Sequence, residues 1–94
     1  MAIRLAGSTI AVIGPVTFTN VFDLTQQGAS LLDGEYQIID LSEVTEVDSS
    51  AVSMLLEWLR IARNRRLDLR FVNFPNNLSS LLNLYDLNEI ISPT

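Results

Sequence analysis

Hydrophobic positions along this chain fall into short β-branched runs and helix-spaced stripes, and the two kinds alternate. Thr9 to Ile13 (TIAVI) is a β-branched run halted by Gly14-Pro15, which predicts a strand followed by a turn. Thr19 then offers a cap for a helix through Val21, Phe22, Thr25, Ala29 and Leu32, with Asp33-Gly34 ending it. Tyr36 to Leu41 (YQIIDL) predicts a buried strand, and Ser42 to Val47 the loop that leaves it. Asp48 or Ser49 opens a long helix lasting to about Asn64. Leu67, Leu69 and Phe71 alternate with Asp68 and Arg70, the period of a strand with one wet face. Pro75 precedes a last helix, Asn76 to Tyr85, and Leu87 to Ile91 closes the domain.

Strand, helix, strand, helix, strand, helix implies a single α/β domain over residues 1–94, with interleaved helices and a small, mostly parallel sheet. Right-handed crossovers place the loops after Ile13 and Leu41 at the C-terminal edge of the strands, where such folds usually bind.

The long helix carries two apolar stripes. At about 100° per residue, Val52, Leu55, Leu56 and Leu59 share one side, which must face the sheet. Met54, Trp58 and Ile61 fall roughly opposite, with Ser50 and Glu57. A helix docks through one stripe, so the second reads either as intramolecular packing or, preferably, as an outward partner surface rich in Met and Trp. On that reading the candidate contact residues are Ser49, Ser50, Ser53, Met54, Glu57, Trp58 and Ile61. Met54, Trp58 and Ile61 are then expected to lie open to solvent in the monomer.

Composition narrows the chemistry. The 94 residues contain no cysteine and no histidine, which excludes thiol nucleophiles, Ser-His-Asp triads, Cys/His zinc sites and disulfides. The glycines are isolated, so no phosphate loop exists, and no cofactor or metal is expected. A net charge of −5 argues against nucleic acid, whose backbone demands a basic face. Arg60, Arg63, Arg65 and Arg66 cluster where a helix C-terminus welcomes cations. Met1 to Ile13 reads as neither a signal peptide nor a membrane span. Asp40, Glu46 and Asp48 fit a loop and a helix cap better than an acid/base or metal cluster. The Asp48-Ser49-Ser50 start suits simple capping; a phosphate on Ser49 or Ser50 would also sit at an anion-accepting helix end.

The run IIDLSEVTEVDSSAVSMLLEWL resembles the strand, loop and helix of STAS domains, the fold of bacterial anti-sigma-factor antagonists. Asp40-Leu41-Ser42 matches that family's strand end, and Asp48-Ser49-Ser50-Ala51 its helix start, with Ala51 in place of the usual glycine. Within the family, GPVTFTNV, MLLEWLRIAR, LRFVNFP and LLNLYDLNEII are similar to runs in the small STAS subunit of Mla phospholipid-transporting ABC complexes. The likeness spans Ile10 to Ile91. It implies a non-enzymatic cytoplasmic module that binds and supports the transporter's ATPase subunit, reaches the inner membrane only through it, and helps maintain outer-membrane lipid asymmetry. The alternative it implies is a phosphorylation-controlled antagonist of an anti-sigma factor, with Ser50 as the kinase target.

Overall fold

The computed structural model describes residues 2–91. Its first element, β1 (Ile3–Ala6), turns at Gly7-Ser8 into β2 (Thr9–Val16). Ile3 and Leu5 alternate with Arg4 and Ala6, but over four residues this period is too brief to stand out in the sequence, which predicted no strand there. Gly7, at φ 61°, supplies the left-handed residue that a two-residue hairpin loop needs.

Gly14-Pro15 does not end β2 as the sequence predicted. The strand passes through to Val16 because Gly14 adopts φ 88° at a bulge against the next strand. Pro15 is tolerated because β1 pairs no further along β2 than Ile13, whose amide bonds Ala2 O, so no ladder partner faces the missing N–H.

β3 (Tyr36–Val47) likewise outruns its prediction, and Ser42–Val47 is strand rather than loop. Ala11 faces Asp40 and Ile13 faces Glu43, so β3 carries an extra residue there; a second lies between Val44 and Val47. These bulges move the buried positions from Ile39 and Leu41 to Val44, a spacing of three that destroys the strand signature in sequence. β4 (Asp68–Val72) follows as expected.

The sheet order is β1-β2-β3-β4, with β1 antiparallel to β2 and the other pairs parallel. Both crossovers step the same way across the sheet, so right-handed connections put α1 (Val21–Leu31) and α2 (Ser49–Asn64) on one face. The last helix, α3 (Asn76–Leu84), packs beside α2, leaving α2 central in a two-layer α/β domain. Ile10, Val12, Ile39, Leu41 and Phe71 meet Leu24, Leu55, Trp58, Leu78 and Leu82 in one core. The opposite sheet face carries exposed ion pairs, Arg4–Glu43 at 3.0 Å and Arg70–Asp68 at 3.2 Å.

Local chemistry refines the helix ends. α1 is preceded by Asn20 rather than capped by Thr19, whose hydroxyl instead bonds that of Thr17. Its buried stripe is Leu24 and Gly28, continued by Leu32, and Phe22 points away from it into solvent. Buried Gln37 ties the end of α1 to β3, donating to Leu31 O at 2.8 Å and accepting from Asp33 N at 3.0 Å. Arg65, one of the clustered arginines, donates from Nη1 to Leu32 O at 2.8 Å and Ala29 O at 3.2 Å, closing the C-terminus of α1.

Candidate partner-binding surface

Central placement of α2 consumes both of its apolar stripes. Trp58 is 0% and Met54 2% exposed, so neither forms the outward surface expected of them. The physical reason is α1. Gly28 has no side chain, and an added Cβ there would lie 2.2 Å from Trp58 Cζ2, so the indole occupies the space a larger residue would fill. Trp58 Nε1 donates to Thr25 O at 3.1 Å, which removes any need for the ring to reach water. Ile61 is half-buried against the same core. The stripe opposite the sheet is therefore intramolecular packing, and Leu56 and Leu59 are only half-buried beside the core.

What remains open on α2 is its small polar ridge. Ser49 and Ser53 are exposed, and Ser50 and Glu57 half-buried. On one side a groove of about 470 Å³ runs between α1 and α2, lined by Val21, Phe22, Thr25, Ser53, Met54 and Glu57 among others. On the other, a groove of about 300 Å³ is bounded by Ser53, Leu56, Tyr85 and Leu87. Ser53 lies on both.

Asp48 organises the head of this ridge. One carboxylate oxygen caps α2, accepting from Ser50 N at 2.9 Å and from the Ser50 hydroxyl. The other accepts from Phe18 N at 3.0 Å, across from the β2–α1 loop. The Ser50 hydroxyl and then the Phe18 amide hold the Asp48 carboxyl below the ordinary carboxylate range. Glu57 is lowered as well, by hydrogen bonding to the Arg60 guanidinium at 2.6 Å.

On the α1 side of these serines stand two aromatic residues, Phe18 and Phe22, 79% and 73% exposed. Phe22 falls within the helix the sequence predicts, with no direction implied, and Phe18 falls in no predicted element. One signal was available: Phe22 sits about 160° from Leu24 on a helical wheel, off the Leu24-Gly28 stripe. Gly28 concealed that stripe, because a glycine does not read as an apolar contact.

Asp40 stands apart from Asp48. It accepts from Ser42 N at 2.9 Å and Asn73 Nδ2 at 3.1 Å, the Ser42 amide being the main cause of its lowered pKa. Among the described residues no three acidic side chains gather into a metal-holding group, so Asp40, Glu46 and Asp48 form no common site.

A family model described as Mlab, STAS domain, matches residues 1–92. The chain belongs to this STAS family. A chain of the Acinetobacter MlaFEDB complex in its ATP-bound Vtrans2 conformation superposes with a TM-score of 0.86 at 22% identity, covering 100% of both chains. The unphosphorylated anti-sigma-factor antagonist SpoIIAA gives 0.76 at 12% identity, over 98% of this chain and 85% of its own. A sulfate transporter family protein from Wolinella succinogenes gives 0.72 at 18% identity, over 90% and 70%. At these identities the structures establish a shared STAS fold. Among curated proteins no significant match is found. In this STAS domain Ala51, where the motif usually has glycine, is 2% exposed, so its methyl group packs inward.

Proposed function

We propose that this STAS domain is the accessory subunit of a phospholipid-transporting ABC complex, docking on the ATPase through the head of α2 and the β2–α1 loop. The observation that carries the reading is the end-to-end superposition on a chain of the MlaFEDB complex, beside the Mlab family match. Ser49, Ser50, Ser53 and Glu57 are the α2 residues that face the partner, joined by Phe18 and Phe22. Met54 contributes only as the floor of the groove, and Trp58 acts from within the fold.

The domain performs no chemistry of its own on this reading. Every serine at the site lacks a histidine base, since the sequence has none, and Asp48 is committed to the cap and the loop. No helix among the described residues is long and apolar enough to cross a membrane, so membrane proximity, on the cytoplasmic side, is conferred by the partner. Lipid movement, and with it outer-membrane asymmetry, belongs to the assembled complex.

Co-purification tests this. A tagged chain extracted from gently solubilised native membranes should bring down the ABC ATPase in stoichiometric amount. Its absence from repeated preparations would remove the reading.

A second reading has one observation behind it. Ser50 occupies the helix start in a fold shared with SpoIIAA, which suits an antagonist controlled by a kinase. Its hydroxyl already donates to the Asp48 carboxylate, so a phosphate there would face a fixed negative charge. Stoichiometric phosphate at Ser50 in cells, with an anti-sigma factor as the co-purifying protein, would favour this reading over the transporter.

A further inference from the structure

We infer that Phe18 is the apolar anchor of the docking surface and Asp48 its positioning residue, presenting the ring to a protein socket with an apolar floor and a basic rim. The inference rests on the docking reading above and names how that site grips its partner.

Phe18 is 79% exposed, yet its loop is fixed at several points. Asp48 Oδ2 accepts from its amide at 3.0 Å. Asn20 Oδ1 accepts from Thr17 N at 3.0 Å, and Asn20 Nδ2 donates to Pro15 O at 2.8 Å. The Asp48 amide itself reaches Val16 O at 3.4 Å. One carboxylate thus joins the loop to the first turn of α2, and the backbone carrying the ring is ordered before any partner arrives. A ring held in water by such a frame meets little further ordering cost when it is buried, the condition under which aromatic anchors contribute most.

Charge selects the occupant. No basic residue lies between Arg4 and Arg60 in the sequence, and Asp23 and Asp48 accompany Phe18 and Phe22 at this end, while Glu57 is already paired with Arg60. A second copy meeting the same surface would set these carboxylates against their own kind. An anionic bilayer would be repelled likewise, leaving a protein surface rimmed by cations as the complementary partner.

The test is calorimetric titration of the full chain with the ABC ATPase from the same host, for wild type, Phe18→Ala, Asp48→Asn and the double variant. Asparagine retains an oxygen able to cap α2 but loses the second acceptor for the Phe18 amide. Phe18→Ala should weaken binding about tenfold or more. Asp48→Asn should weaken it to a smaller extent, should add nothing in the Phe18→Ala background, and should speed hydrogen exchange at the Phe18 amide. Equal penalties from Asp48→Asn in both backgrounds would mean that Asp48 touches the partner directly, and would overturn the positioning role. Wild-type affinity in Phe18→Ala, or a wild-type self-association that Phe18→Ala abolishes, would overturn the anchor and its occupant. If the wild-type chain fails to bind the ATPase, the docking reading and this inference fall together.

Discussion

Gly28 and Trp58 work as one unit, each allowing the other. Helix propensity favours alanine over glycine by about 1 kcal/mol in a helix interior, so Gly28→Ala looks stabilising on local grounds. The added Cβ would meet Trp58 Cζ2 at 2.2 Å, however, and the indole is walled in by the core and tethered to Thr25 O. Overpacking of this kind costs about 1–3 kcal/mol, which exceeds the propensity gain. Gly28→Ala should therefore melt below wild type, and a higher melting temperature would refute the close contact. Removing the other partner should do more harm. Trp58→Ala empties a site that is 0% exposed and should cost about 3–5 kcal/mol in denaturant unfolding. That is a large part of the stability expected for a domain this small. Any loss of binding to the proposed ATPase partner in this variant should then track the unfolded fraction. A variant that stays folded yet loses binding would return Trp58 to the interface.

At the scale of elements, the junction between β2, α1 and α2 depends on an ionised carboxylate. The folded-state pKa of Asp48 is lowered, first by the Ser50 hydroxyl and next by the Phe18 amide. A group whose pKa is lower in the folded state stabilises the fold above its unfolded value, about 3.9, and loses that contribution as pH falls through the folded value. The melting-temperature gap between wild type and Asp48→Asn should be full at pH 7 and at pH 5, then shrink below about pH 4. Asp40, also lowered, titrates in both proteins and cancels. A gap that widens in acid would show that the carboxylate does not hold the junction. The same junction marks how far the sequence could be read. The start of α2 at Asp48 and its end at Asn64 were legible because a capping residue and a long periodic stripe coincide there. β3 past Leu41 and β2 past Ile13 were not, because bulges reset the period and Gly14-Pro15 imitates a turn. The serines of the proposed site were placed at the helix start, where α2 does begin. Phe22 beside them was not legible, since its exposure depends on which side of α1 the glycine leaves free, and Phe18 lies in the β2–α1 loop, where no periodicity marks its direction.

Across the whole molecule, arginines gather at one end of α2, where Asp33, Glu35 and Asp68 also lie. Arg60, Arg63, Arg65 and Arg66 follow one another at its C-terminal end, whereas Asp48 and the acidic stretch before it belong to the N-terminal end. Glu57 and Arg60 pair with each other, and Arg65 is engaged on α1, so much of the basic end is turned to internal use. The end that carries Phe18 and Phe22 keeps its negative field. Long-range attraction of this kind governs an encounter rate, while a buried apolar anchor governs how long a complex lasts. Salt separates the two. The Debye length shortens from about 10 Å at 0.1 M to about 3 Å at 1 M, which screens the approach and leaves an apolar contact largely intact. Association of the wild-type chain with the proposed ATPase partner should therefore slow as salt rises, with little change in dissociation. Phe22→Ala, which removes an exposed ring and no charge, should do the reverse: faster dissociation, an unchanged salt slope, and a melting temperature close to wild type because the side chain is 73% exposed. Surface-plasmon kinetics over a salt series would resolve both effects. An association rate that climbs with salt would mean the partner's surface is acidic, and the proposed charge match would be wrong.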